Sequence, residues 1–248
     1  LPKFDLLLDE LQNIAELSTN RGVKLFVVSH KKPNQINASQ DVVKKIFGRF
    51  EVLDYAMESI TTYHIINASI NKINEKKWLI IKNQWTNKIK ILINQIIRAE
   101  GIPVPKSSLE DLFPIHPYTA YLATYMARNI GSTERSIFNF LYDEKNGFKK
   151  FIKECPNGNK NIFLTADYLW DFFYDEFDRM DNEKVHSVLE KFKLHHNFLE
   201  KQGNDYLSVF KGILLLNILY RVVEVSETSL VNPSINNITD IFTGSIDE

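Results

Sequence analysis

The stretch "KFDLLLDELQ", residues 3–12, decides the predicted fold of this chain of 248 residues. An apolar run at residues 4–8 leads directly into Asp9 and Glu10. Short runs of this kind are typical of strands that are covered on both faces of a parallel sheet. We therefore expect a buried strand whose carboxyl end carries two carboxylates.

The segments that follow extend this pattern. "ELQNIAELSTNRG", residues 10–22, has helical spacing and a glycine stop, and "VKLFVVSH", Val23–His30, is a second apolar run. The order strand, helix, strand predicts a right-handed parallel crossover unit. "QDVVKKIFGRFEVLDY", residues 40–55, predicts a short helix and a third strand. The predicted fold class is α/β, followed by a mostly α region.

Helical periodicity dominates from Glu58 onward. "WTNKIKILINQIIRA", residues 85–99, carries one apolar face, and "GIPVPKSS", residues 101–108, breaks that helix. Pro117 is expected as a first helical residue, with His116 ordering the entry of that helix by hydrogen bonding. Thr165 is expected as the cap of "ADYLWDFFYDEF", a helix that carries Leu169, Phe172, Phe173 and Phe177 inward. The tail after Val223 predicts a small helix with a turn or a wing.

The composition excludes several classes of protein. Thirty basic and 31 acidic residues give a net charge of -1, which argues against a chain that coats nucleic acid over its whole surface. The single cysteine, Cys155, cannot form an internal disulfide, so a reducing, cytoplasmic setting is expected. The apolar run from Tyr206 contains Lys211 and Arg221, which predicts a buried helix and no membrane partner.

Two predicted strand ends carry the candidate chemistry. Ligands bind outside the carboxyl ends of strands in parallel sheets with helical crossovers, so Asp9 would hold magnesium and Glu10 would polarise an attacking water. Ser29 and His30 end the neighbouring strand, where a polar residue would lie beside a gamma-phosphate. A solvated strand end and a simple polar turn remain open as alternatives.

Two arginines are further candidates for binding phosphate. Arg49 in "FGRFE" and Arg135 in "TERS" each present a guanidinium whose fork matches phosphate oxygens. Each can equally form an ion pair with a near neighbour, Glu51 or Glu134.

Several motifs together resemble those of large bacterial AAA+-like P-loop ATPases associated with phage defence, including the BREX ATPases. They are, in order, "FDLLLDELQ", "LFVVSHKKPNQ", "IFGRFEVLDYAME", "LFPIHPYTAYLATYMARNIGSTERSIFNFL", "LTADYLWDFFYDEF" and "FKGILLLNILYRV". The similarity covers nearly the whole chain. Its most specific part is the proline-histidine-proline helix followed by "ERSIFNFL".

The resemblance implies three regions. Residues 1–57 would be the C-terminal half of a nucleotide-binding core, residues 58–200 a helical lid, and residues 201–248 a winged-helix-like end. It further implies ATP and Mg²⁺ as cofactors, with Asp9 on the metal, Glu10 on the water, Ser29 and His30 at the sensor strand, Arg49 as a finger and Arg135 in the lid. Homo-oligomers and DNA are further implied partners.

No G-x-x-x-x-G-K-[ST] motif occurs in these residues. We therefore expect the Walker A half of the protein upstream of Leu1, and an isolated chain that does not hydrolyse ATP. A non-catalytic helical scaffold is the alternative hypothesis. A nuclease that uses Asp5, Asp9 and Glu10 is disfavoured, because Asp5 and Asp9 would lie about 13 Å apart along a strand.

Overall fold

The computed structural model describes residues 10–11, 13–18, 20–27, 44, 48, 50–51, 59–129, 137–155, 163–223 and 229–246. The chain divides into two compact units, Leu1–Ala56 and Met57–Glu248. Most of the described residues belong to the second unit.

The first unit does not show the predicted strands where it is described. Residues 10–11 and 13–18 are helical, so Glu10 lies in a helix, whereas residues 4–8, predicted as the first strand, lie outside the described residues. The helix precedes Gly22, whose φ is 64°, and this glycine stop confirms that part of the prediction. Residues 23–27, expected in a buried strand, form neither helix nor strand, and Phe26 is 81% exposed.

The α/β fold class is therefore wrong, because the described residues are almost entirely helical and contain no sheet. The residue types account for the helix that is described near the start of the chain. The helical residues between positions 10 and 18 include one β-branched residue, Ile14, whereas leucine, alanine and glutamate are strong helix formers. A short apolar run does not by itself distinguish a strand from a buried helix.

The second unit is a bundle of helices. Its described helices are α1 (Ser59–Ser69), α2 (Glu75–Lys88), α3 (Lys90–Glu100), α4 (Lys106–Glu110), α5 (Pro117–Asn129), α6 (Ile137–Tyr142), α7 (Phe148–Glu154), α8 (Ala166–Arg179), α9 (Glu183–Gln202), α10 (Asn204–Val222) and α11 (Ile235–Phe242). Within the described residues, none of these helices is both long enough and apolar enough to cross a bilayer.

Helix α8 lies at the centre of the unit and packs against α5, α9 and α10. Trp170 is fully buried, and its ring centroid lies 5.2 Å from that of Phe192 in α9 and 5.9 Å from those of Tyr174 and Phe177. Close aromatic pairs add to the stabilisation that burial of their apolar area supplies. The residues that the sequence placed inward on α8 are all buried, which confirms that prediction: Leu169, Phe172, Phe173 and Phe177.

Helices α9 and α10 form a helical hairpin joined at Gly203, whose φ of 143° suits glycine. Only the start of α9 and the second half of α10 contribute fully buried residues. The end of the hairpin near Gly203 therefore extends beyond the core.

The residues described near the end of the chain confirm the predicted small helix with a turn, and the winged-helix-like end stays a prediction. Residues 229–246 form a turn and the short helix α11, without a β wing. Ile241 and Phe242 of α11 are buried against α10. A Cβ at Gly212 of α10 would lie 2.7 Å from the ring of Phe242, so the two helices approach closely because this position is glycine.

A single parallel β-bridge, Ile115 to Leu164, is the one strand-type pairing among the described residues. The backbone N–H of His116 donates to the carbonyl of Leu164 at 3.0 Å, and the N–H of Leu164 donates to the carbonyl of Pro114 at 2.9 Å. The adjacent Phe163 ring packs edge-on against Phe113, with centroids 5.5 Å apart. The bridge thus fixes the turn before α5 against the start of α8.

Helix α7 begins at a glycine that touches the preceding helix. A Cβ at Gly147 would lie 2.1 Å from the carbonyl oxygen of Phe140 in α6. The side chain of Asp143 accepts the backbone N–H groups of Lys145 and Asn146, at 2.9 and 2.6 Å, and so closes the turn between the two helices. The absence of a side chain at Gly147 therefore allows α6 and α7 to pack closely.

We predict that Gly147→Ala destabilises the protein by about 3 kcal/mol, because the new methyl group collides with backbone that cannot move independently. Gly101→Ala is the matched control: its φ of 68° is unfavourable for alanine, but no atom lies within 4 Å of the new Cβ. This control should cost about 1 kcal/mol. Urea-induced unfolding followed by circular dichroism measures both, and equal losses would contradict the close contact at Gly147.

Candidate functional site

The structure does not assemble the predicted nucleotide site. Glu10 is described, and it is exposed on a helical segment. The other predicted site residues lie outside the described residues and stay predictions: Asp9, Ser29, His30, Arg49 and Arg135. The described part of the chain holds no cluster of three His, Cys, Asp or Glu residues that could bind a metal. The Mg²⁺ site, whose expected ligand is Asp9, thus also stays a prediction.

A different feature stands out in the second unit, a groove open to solvent with a volume of about 350 Å³. We call it the Trp78 groove. Three segments line it: the connection from α1 into α2, the Phe113–Pro114 turn, and α7 through Phe148 and Ile152. A volume of this size lies at the lower end of the range for ligand pockets in proteins.

The indole of Trp78 is held in the wall of this groove by contacts from α2, from the connection that precedes α2, and from the Phe113–Pro114 turn. Its Nε1–H donates to the carbonyl of Phe113 at 3.2 Å. The ammonium groups of Lys72 and Lys82 lie 4.4 and 4.8 Å from its ring centroid, within range of cation–π attraction. Lys82 also bonds Asp111 at 2.7 Å, which ties α2 to the turn.

The rim of the Trp78 groove exposes large apolar side chains. Ile73 is 95% exposed and Ile152 is 47% exposed, and they belong to two different lining segments. Single exposed apolar residues are common on protein surfaces, but these two border one concave apolar surface. The groove therefore offers apolar area that a bound partner would cover.

The lining is suited to binding and not to acid–base chemistry. None of its described side chains is a carboxylate, an imidazole or a thiol. The one hydroxyl, on Ser69, donates to the carbonyl of Ile65 at 2.8 Å. Nucleophilic or acid–base catalysis needs such groups within hydrogen-bond reach of each other.

A polar network behind α7 positions this wall of the groove. Lys150 of α7 lies 3.7 Å from Asp171 of α8, and Glu154 accepts the hydroxyl of Tyr168 at 2.9 Å. Asp171 also pairs with Lys211 of α10 at 2.7 Å. These contacts fix one face of α7 on the core while Ile152 faces the groove.

Asp167 is the buried member of the same region. Its two oxygens accept the hydroxyls of Thr165 and Ser208, at 2.6 and 2.8 Å. Burial raises the pKa of the Asp167 carboxyl, although both hydroxyls and the nearby Lys211 oppose the shift. Thr165 is the N-cap residue of α8, as predicted, but its hydroxyl donates to the Asp167 carboxylate and not to the helix backbone.

His116 is fully buried in the core, where its ring packs edge-on against Phe163 with centroids 5.1 Å apart. Its Nδ1 accepts the backbone N–H of Tyr118 at 3.3 Å, which confirms the prediction that this histidine orders the entry of α5. Its Nε2 makes no well-formed hydrogen bond, and the Thr243 backbone opposes the effect of burial only in part. Burial lowers the pKa of His116 from 6.5 to about 3.

The sequence identified only part of this site. The lysine-rich stretch "KINEKKWLIIKNQWTNKIK", residues 72–90, indicates a basic helix face, but it does not reveal that Trp78 lines a groove together with Phe113 and α7. Ile73 carries a usable signal, since it is an isolated isoleucine among lysines and asparagines, outside any helical stripe.

Comparisons with protein-family models, with curated proteins and with solved structures find no match for this chain. The fold and the groove therefore define the second unit only as an all-helical module with an apolar surface groove. The resemblance to phage-defence ATPases stays a prediction.

We predict that His116 makes stability fall with acid. Its folded pKa lies below its unfolded value, so the unfolded chain takes up a proton first, and stability is lost as the pH falls from 6.5 toward 3. Between about pH 7 and about pH 4 this group alone should remove about 3 kcal/mol. His116→Asn keeps an acceptor for the Tyr118 N–H but does not titrate.

The His116→Asn variant should be less stable than the parent at neutral pH, and the difference should shrink as the pH falls. Urea-induced unfolding at the two pH values measures it. A difference that stays constant with pH would show that His116 is not the buried neutral base described above.

We predict opposite effects for two aspartates one helical turn apart. The pKa of Asp167 is raised on folding, so its contribution to stability is lost as the pH rises through the folded pKa. Asp167→Asn should therefore gain stability relative to the parent as the pH rises, because both hydroxyls can also bond an amide. Asp171→Asn should lose about 1–3 kcal/mol, because it leaves Lys211 without its carboxylate. Thermal unfolding across acidic and neutral pH tests the pair, and a loss of stability in both variants at neutral pH would contradict the prediction.

Proposed function

We propose that the unit Met57–Glu248 is a non-catalytic interaction module that binds a protein partner in the Trp78 groove. The observation that carries this proposal is the exposure of Ile73 and Ile152 on the rim of one concave apolar surface. Burial of this surface is worth roughly 25 cal/mol for each Å² removed from water.

The rigidity of the groove supports the proposal. Its three lining segments are each held from behind, by the bond from Trp78 to Phe113, by the Ile115–Leu164 bridge, and by the ion pairs of α7. A surface formed in advance loses less conformational freedom on binding. The module would thus bind its partner without rearrangement of its own core.

ATP hydrolysis, Mg²⁺ binding and a role in phage defence stay predictions from the sequence. So do oligomer formation and contact with DNA. A cytoplasmic location belongs to the proposal, on the ground of the single cysteine.

A photo-cross-linker tests the proposal inside the cells that produce the intact protein. Ile73→p-benzoylphenylalanine should give a discrete protein adduct on illumination, because the partner covers this residue. Ile235→p-benzoylphenylalanine is the matched control, since Ile235 is also strongly exposed, at 83%, and does not line the groove. Adduct yields are compared by immunoblotting and mass spectrometry.

Equal adduct patterns at the two positions would overturn the groove as a binding site. The ATPase prediction concerns the first unit, to which Glu10 belongs, and has its own test. If Glu10 has no catalytic role, ATP turnover by the intact protein should be the same with and without Glu10→Gln. Loss of turnover in that variant, with ATP binding retained, would favour the ATPase prediction.

A further inference from the structure

The Trp78 groove lies in the most basic part of the described helices. Residues 72–90 contain six lysines and one glutamate, in a chain whose total charge is -1. Lys72 lines the groove, and Lys76 and Lys77 follow within the first turn of α2. Carboxylates are favoured in the first turn of a helix and ammonium groups are not, so this placement does not serve the stability of α2.

These three lysines are not neutralised within the described structure. The Lys72 ammonium donates to the side-chain oxygen of Asn67 at 2.6 Å and lies over Trp78, but no described carboxylate lies within 4.0 Å of it. Lys76 and Lys77 are exposed and have no ion pair with a described residue either. The lysines on the α7 side differ, since Lys149 and Lys153 both pair with Glu144.

We propose that the Trp78 groove binds a short acidic peptide segment of a partner protein, with one bulky apolar side chain in the groove and flanking Asp or Glu residues on Lys72, Lys76 and Lys77. This inference rests on the proposed function and names the chemistry of the partner. The apolar side chain covers Ile73 and Ile152. The carboxylates of the peptide supply the negatively charged partners that the three lysines do not have among the described residues.

The geometry favours a peptide over other polyanions. A nucleic acid backbone matches the lysines but has no apolar side chain for the groove. An anionic membrane matches both charge and apolar area, but a bilayer surface does not enter a concave groove as a single side chain does. A peptide segment presents both features at the spacing of neighbouring residues.

Fluorescence anisotropy of labelled peptides on the 248-residue chain tests the proposal. The probe is GEEFEEG, and its controls are GQQFQQG, which lacks the charge, and GEEAEEG, which lacks the apolar side chain. GEEFEEG should bind at least about tenfold more tightly than either control, because each control loses one of two contributions of similar size. Its affinity should fall several-fold as salt screens the lysines.

Charge reversals at two of the lysines test whether they bind the peptide, and a third reversal, at Lys184, serves as the matched control. Lys72→Glu and Lys76→Glu should each weaken GEEFEEG by about fivefold to tenfold. Lys184→Glu should leave its affinity unchanged, although Lys184 occupies the same position in α9 as Lys76 in α2: the second residue after an asparagine cap, behind a glutamate. An acidic residue is favoured at both helix starts, so neither Lys76→Glu nor Lys184→Glu should impair folding.

Three results would overturn this inference. GEEFEEG could bind no better than its controls, or the three lysine variants could behave alike. Alternatively, a DNA duplex or phosphatidylserine vesicles could displace GEEFEEG and bind the Ile73→Asp variant with the same affinity as the parent protein. That result would show that the lysines bind a polyanion without any contribution from the apolar rim. In each case, a specific photo-cross-linked adduct at position 73 would still support the proposed function. If that adduct were absent as well, both the proposed function and this inference would be wrong.

Discussion

The first two turns of α8 impose the constraint on which the rest of the second unit depends. From Ala166 to Phe173 each residue is buried except Asp171, which is half-buried. A helix that is buried around its whole circumference must be covered by other elements on all sides. Helices α5, α9 and α10 supply that cover, and their positions follow from the large rings that they enclose.

Burial of these turns has an electrostatic consequence, because the buried Asp167 and the half-buried Asp171 lie within them. A buried carboxylate is costly unless partners compensate for its lost hydration. The hydroxyls of Thr165 and Ser208 compensate Asp167, and Lys211 and Lys150 compensate Asp171. Since Lys150 belongs to α7, the same compensation that satisfies the core also fixes a wall of the Trp78 groove.

The sequence predicted the helices of the second unit better than their environment. The apolar stripe of α8 and the helix start at Pro117 follow from spacing and residue type, and both are confirmed. Burial of Tyr168 and Trp170 on the other sides of α8 does not follow from spacing, because it depends on which helices surround it. The α/β prediction is wrong because a short apolar run, such as the one at residues 23–27, does not by itself define a strand until the tertiary structure is known.

The groove was still harder to predict, since its lining comes from three segments that are far apart in sequence and have no common period. Gly147 illustrates the difficulty: it lies in an ordinary turn sequence, and only its approach to the carbonyl of Phe140 shows why the position excludes a side chain. Tertiary contacts of this kind leave no local signal in the residues that make them.

The Ile115–Leu164 bridge has a consequence for the order in which the protein gains and loses structure. The α9–α10 hairpin joins neighbours through one residue, so its loop closes at little entropic cost, whereas the bridge closes a long loop and is held by two backbone hydrogen bonds. We therefore expect the hairpin early in folding and the bridge late. By the same reasoning, amide protons at His116 and Leu164 should exchange with solvent through partial openings that leave the α9–α10 hairpin intact.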